Sequence, residues 1–350
     1  AGCMAADPTN GCGIFIGRYA GRSATEGKAI MIGCEAGRCA VDADNSIFIG
    51  SAAGKCACNA SDGNIAIGNE AGQGSSTLAN NTGDYNISFG ACALKGYTSG
   101  SNNVAIGRHA GCNVTSGGSN FIGGYHAGRC NETGSYNVLF GIAAGCSATS
   151  GNYRVFIGAS AGNSASGVDG VFIGHYTGRC NTGTYNIALG TSALKGSSTP
   201  GDNTGTRNIA IGCDAGLDLT TGSCNLLMGT RAGYNLTTGS DNIFMGRYAG
   251  AAEAVTANYN IAIGNCAGKH FSSSSGNIAI GFEAGCCANP NSEMIAIGKR
   301  AGKGGAGKNV GFSNIFIGED AGCININGQQ NVFLGIQAGR CNDGNSNTFI

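Results

Sequence analysis

Asn260-Ile261-Ala262-Ile263-Gly264-Asn265-Cys266-Ala267-Gly268 is followed one unit later by Asn277-Ile278-Ala279-Ile280-Gly281-Phe282-Glu283-Ala284-Gly285. Close relatives of this unit run from Gly17 to Gly335 at nearly constant spacing, with Gly107, Gly123 and Gly141 among the anchoring glycines. A short period of this kind marks a stacked-repeat architecture, in which no unit buries a core alone and each is stabilised by the next.

Within each unit three apolar residues precede the anchoring glycine, as in Ile47-Phe48-Ile49, Val155-Phe156-Ile157 and Val332-Phe333-Leu334. β-branched and aromatic residues bounded by Asn and Gly predict a short strand. The Gly-x-x-Ala-Gly that follows predicts a tight corner, and Thr-Gly-x-x-Asn stretches such as Thr221 to Asn225 supply turn residues. The fold expected is all-β: a parallel β-solenoid of about twenty coils of 16–22 residues, read as one continuous array over residues 1–350. Ala1-Gly2-Cys3 and Asn347-Thr348-Phe349-Ile350 read as fragments of units, so the expectation is an excerpt of a longer chain.

Asparagine precedes the triplet at Asn64, Asn86, Asn103, Asn137, Asn186, Asn208, Asn225, Asn242, Asn260, Asn277, Asn314 and Asn331. Stacked coils place these amides above one another, where each can donate to its neighbour; the rival reading is that each Asn closes its own turn. The middle residue of the triplet is apolar as well, at Phe15, Phe48, Phe156, Phe172, Phe244, Phe316 and Phe333. Alternation sends it to the face opposite its two neighbours, so both faces of the strand need cover. A chain-contact stripe along the Phe positions is one expectation; loops folding over it is the other. Ala93-Leu94-Lys95-Gly96 and Ala193-Leu194-Lys195-Gly196 break the corner motif in the same way at two distant places, which suggests a superimposed six-coil period.

The chain has 18 cysteines. So many favour an oxidising compartment unless they bind metal. Cys39 with Cys56, members of Cys112, Cys130 and Cys146, and Cys323 with Cys341 are expected disulfide partners in adjacent coils, one strand spacing apart. Cys180 has no equivalent in the neighbouring coils and is the candidate for a bond to another chain. No Cys-x-x-Cys pair is present, and His109, His126, His175 and His270 read as scattered, so no metal or other cofactor is expected.

Sixty-five glycines with three prolines and no Trp exclude an ordinary globular core, and the glycines lack collagen's strict third-residue period. Twenty basic and 20 acidic side chains cancel, without the basic stripe of a nucleic-acid binder. No apolar run predicts membrane insertion. No phosphate loop is present, no Gly-x-Ser-x-Gly context holds a Ser on a strand-to-helix turn, and no catalytic residue is expected.

The unit at Asn260 to Gly268 and Asn277 to Gly285 resembles the head repeats of YadA-like trimeric autotransporter adhesins, and the repeats of phage and algal-virus tail or surface fibres. The resemblance implies parallel β-rolls or β-helices that associate, often as trimers, and project from a cell or virion toward a host or surface. The expectation is therefore a non-enzymatic shaft of an extracellular filament, fibre or fibrous adhesin at a cell or virion surface. It would self-associate as a trimer or filament and could meet a host glycan or protein. Ile263 to Gly268 also resembles the hexapeptide of left-handed β-helix acyltransferases, one alternative; an ice-binding solenoid is another, although the Thr-x-Thr ladder of such a face is missing.

Overall fold

The computed structural model describes residues 13–24, 28–41, 43–57, 62–75, 81–167, 169–197, 202–251, 255–287, 293–305, 311–324, 328–342 and 344–350. The chain divides into two compact units, Ala1–Ile173 and Gly174–Ile350. The first holds ten strands from β1 (Ile14–Ile16) to β10 (Val171–Ile173), and the second ten from β11 (Ile187–Leu189) to β20 (Thr348–Phe349). There is no helix among the described residues. In each unit successive strands pair in parallel and in register, one strand per coil, as with Ile261, Ala262 and Ile263 against Ile278, Ala279 and Ile280. Ile261 N–H donates to Asn277 O of the next coil at 2.8 Å, and Gly264 N–H to Met245 O of the preceding one at 2.7 Å. The backbone is thus satisfied in both directions along the stack. This is a parallel β-solenoid.

Two constraints hold the anchoring glycine. Gly264 has φ +133°, a region closed to L side chains, and a Cβ there would overlap Gly281 O in the coil above. The corner then turns through Cys266 at φ 57° and Gly268 at φ 51°, with Ala267 N–H bonded to Gly264 O at 3.2 Å. The anchor expected at Gly123 lies one residue later. Gly124 carries the positive φ of 121°, and Gly123 pairs with Ile106 as the third strand residue.

The middle strand residue points into the coil. Phe48, Phe156, Phe172, Phe244, Phe316 and Phe333 are fully buried inside their own coils, and Phe15 is half-buried against the same core. The Phe stripe is therefore interior packing and not a chain contact. Size complementarity explains why this column tolerates anything from Ala to Phe. Nine residues after the middle position a second side chain points inward, and in several coils the two are complementary in bulk: Phe48 with Ala57, Phe156 with Ala165, Ala210 with Leu219, Ala262 with Phe271, all buried. A constant cross-section can be filled from either side.

Candidate functional site

With the interior accounted for, the outward strand positions stand out. The first residue of every strand is Ile, Val, Leu or Phe except Thr348, and the third is Ile, Leu, Met or Phe in every three-residue strand except the one ending at Gly123. Phe140 lies over the place where a side chain on Gly123 would sit. These residues face away from the core. Ile16 is 57% exposed, Ile106 46% and Phe140 52%, and most of the others are half-buried by their own neighbours in the columns. Two parallel apolar columns thus line the outer sheet face of each unit. The apolar surface expected on the strands is present, on the opposite side from the one assigned to it.

The asparagines form a column just inside the start of most strands. Asn103 N–H and Nδ2–H both donate to Asn86 Oδ1, at 3.0 and 3.1 Å, and Nδ2–H donates again to Gly117 O of the next coil at 2.9 Å. Asn208, Asn225, Asn242, Asn260 and Asn277 repeat the pattern, each on the Oδ1 of the Asn one coil back, and Asn331 does so on Asn314. Asn86 N–H reaches Asn64 Oδ1 at 2.8 Å, Asn137 N–H reaches Asn120 Oδ1 at 3.0 Å, and Asn186 Nδ2–H donates to Asn181 Oδ1 and Gly205 O. Own-turn bonds occur alongside, such as Asn277 Nδ2–H to Ser274 O at 3.2 Å. Asn120 and Asn347 also belong to the column, and sequence reasoning missed both. The spacing carried the signal for the first: Asn120 stands four residues before Gly124, as Asn103 stands before Gly107.

Arg154 occupies the column position after Asn137 and is fully buried, with no ion pair to a carboxylate among the described residues. Its guanidinium donates to Asn137 Oδ1, Ser150 O, Ala165 O and Asn131 Oδ1 at 2.7 to 3.1 Å. Burial pushes its pKa down to about 10, which leaves it charged at neutral pH.

The cysteines line up less well than the sequence suggests. Cys39 and Cys56 each stand two residues after a stacked corner glycine, and Cys56 N–H bonds Arg38 O at 2.9 Å. Cys112 and Cys146 come one residue after theirs, whereas Cys130 comes two after, so Arg129 lies in register between them. Cys341 is likewise offset from Cys323: Ile324 N–H bonds Arg340 O at 2.7 Å. Cys56, Cys112, Cys130, Cys146, Cys323 and Cys341 form no disulfide among the described residues. Cys180 is 5% exposed, which places it in the interior and not where another chain could reach it. Burial pushes the Cys56, Cys112 and Cys146 thiols up, and that of Cys286 to about 12 with help from Cys287, so these groups stay protonated and weakly nucleophilic at neutral pH.

Intercoil ion pairs sit on the corners, with Lys55 Nζ to Glu35, Lys95 Nζ to Glu70 and Lys303 Nζ to Glu283 each at 2.7 Å. Two of the histidines read as scattered are neighbours, because they stand one full coil apart: His109 and His126 have ring centroids 5.1 Å from each other. No group of three or more His, Cys, Asp or Glu residues among the described residues is placed to hold a metal ion, and no helix is long and apolar enough to cross a membrane. Comparison with protein-family descriptions, curated proteins and solved structures finds no match in any of the three.

Proposed function

We propose that the chain is a non-enzymatic structural protein of an extracellular filament, fibre or fibrous adhesin, in which copies pack against one another through the outer sheet face. One observation carries this reading: the paired apolar columns are kept from coil to coil on the side where solvent would accept polar residues. Ten strands about 4.8 Å apart give each unit roughly 45 Å of face, and a stripe about 10 Å wide comes to on the order of 450 Å². A standard stable interface takes roughly 800 Å² from each partner, so the face of one unit supplies about half of that. A second copy is the natural occupant, since a surface built of identical repeats matches the same surface in register. The resemblance to fibre and adhesin repeats supports a location outside the cell or on a virion. In that setting Cys39 and Cys56, the one expected pair at equivalent positions among the described residues, are the first candidates for an intercoil disulfide; mass spectrometry after alkylation without reductant tests it.

Light scattering on the full chain tests the association. The unmodified protein is expected as oligomers, and Ile211→Asp with Ile263→Asp as folded monomers. Monodisperse monomers of the unmodified chain at every concentration would refute the packing. Calorimetric binding of acetyl-CoA would favour an acyltransferase, and thermal hysteresis an ice-binding protein.

A further inference from the structure

On the corners of two consecutive coils in the first unit, Arg108, His109, Tyr125, His126 and Arg129 come together. The Arg108 guanidinium lies 5.7 Å from the Tyr125 ring centroid, the Tyr125 and His126 rings stack at 3.9 Å, and His109 meets His126 edge to face. Arg108 and Tyr125 are exposed, and His109, His126 and Arg129 are half-buried. Some corner cations, such as Lys55 and Lys303, pair with carboxylates, but neither Arg108 nor Arg129 takes part in an ion pair among the described residues, and the nearby Lys95 is held by Glu70. In a chain of zero net charge this is a local excess of positive charge.

We propose that this cluster binds a compact oxyanion, a sulfate or phosphate monoester carried on a sugar. Guanidinium forks recognise such groups bidentately, and imidazole N–H groups add donors beside them. A compact group fits better than an extended polyanion. The equivalent corner positions in the next coil are Ile142, Ala143 and Cys146, and in the preceding coil Ala91, Cys92 and Lys95, so the excess charge covers only about two coil spacings, roughly 10 Å. Tyr125 offers a flat ring to the sugar that bears the ester. The positive field is felt by both imidazoles. Burial first, and then Arg108 and Arg129, hold His109 below the usual histidine value; burial, Arg129, His109 and Arg108 do the same for His126. Lys95 adds to this at His109 and Glu70 opposes it. Both rings are therefore neutral at neutral pH. Acidification charges them, and a bound anion favours their charging, so affinity rises as pH falls through the imidazole pKa values.

Calorimetry with a sulfated disaccharide, its unsulfated parent and a sugar phosphate provides the test. One or both esters are expected to bind and the parent not to, and the ester preferred identifies the ligand class. Arg108→Met with Arg129→Met should weaken binding by roughly tenfold or more, whereas Arg108→Lys with Arg129→Lys, which keeps the charge but loses the fork, should retain only part of it. His109→Ala with His126→Ala should flatten the pH dependence. Unfolding midpoints and oligomeric state should be unchanged in every variant. The site lies on the corners and does not depend on the outer sheet face, so Ile263→Asp should leave ester binding intact even if it changes assembly. Equal binding of the unsulfated parent, no binding of either ester, or an unchanged affinity in the double Met variant would each overturn the proposal.

Discussion

The inner and outer columns of the same strands obey opposite rules. Inside, the middle position ranges over Ala66, Ser88, Ile122, Leu139, Met31 and Phe156, all buried. Outside, where side chains are partly in water, the residues are almost uniformly branched and apolar. A packed interior demands constant volume, and two inward positions per coil can meet that demand in many combinations. Solvent makes no such demand on an exposed face. Its uniformity over many repeats, against the variety of the core, is the contrast on which the proposed packing between copies rests.

The sharpest way to break that comparison is to place the same charge on each side of one strand pair. Phe244→Asp puts an unpaired carboxylate in the coil interior, at an expected cost of several kcal/mol, and should abolish cooperative unfolding of the second unit. Ile263→Asp, in the coil stacked on it, should unfold at nearly the wild-type denaturant midpoint and lose only association. Circular dichroism against denaturant measures the first and light scattering the second. Equal loss of folding in both would mean that the outer columns are part of the core.

A gentler test concerns complementarity within the coil. Phe48→Ala should cost about 3–5 kcal/mol through lost burial and an unfilled cavity. Adding Ala57→Phe should recover part of that, since Ala262 with Phe271 shows the reverse arrangement filling the same cross-section. Chemical denaturation of the single and double variants gives the coupling, and simple additivity of two losses would refute the complementarity.

These two tests also mark where the sequence stopped being legible. Period, strand triplets, parallel register and the asparagine column follow from residues whose chemistry has few alternatives, such as Gly264 at positive φ beneath a neighbouring carbonyl. The inward side of the strand did not follow, because alternation is informative only when one face is polar, and both faces of Ile47-Phe48-Ile49 are apolar. The deciding signal was present in other terms. A Cβ on Gly54 would overlap the Phe48 ring, so the corner glycine and the middle aromatic must share the interior, and Phe48 must point at the corner. The His109–His126 contact was equally readable, since any two residues one period apart are stacked neighbours. The register of the other cysteines was open to the same reading: Cys112 and Cys130 stand one position further apart along the chain than their corners Gly111 and Gly128, which puts them out of register, whereas Cys39 and Cys56 keep step with Gly37 and Gly54.

The asparagine column tests a polar interior of intermediate cost. Asn242→Ala removes the bonds to Asn225 Oδ1 and Ala257 O, and it deprives Asn260 N–H and Nδ2–H of their acceptor. Leaving such buried groups unsatisfied costs about 1–3 kcal/mol, so the denaturation midpoint should fall clearly while association is unchanged. Arg154→Asn, by contrast, replaces a desolvated charge with the column's own residue and should be neutral or stabilising. A strongly destabilised Arg154→Asn would show that the guanidinium, with its four acceptors, is required to hold that coil.

The smallest effect belongs to the corner ion pairs, which lie outside both columns. Glu70→Gln removes the partner of Lys95 at 2.7 Å, but their side chains are 35% and 39% exposed. Water screens such a pair, so the loss should be at most about 0.5 kcal/mol. Its pH dependence has a definite sign. The hydrogen bond from Lys95 is the largest influence holding the Glu70 carboxyl below the usual glutamate value, with burial opposing it. A carboxylate whose folded pKa is depressed contributes its stability above the unfolded pKa and loses it as pH falls through the folded one. The difference between wild type and Glu70→Gln in urea midpoint should therefore be present at neutral pH, shrink on acidification and shrink again with added salt. A difference that grew with acid would show that Glu70 acts in the folded chain as a neutral hydrogen-bonding group, and the corner pairs would then have to be counted with the asparagines as part of the polar interior.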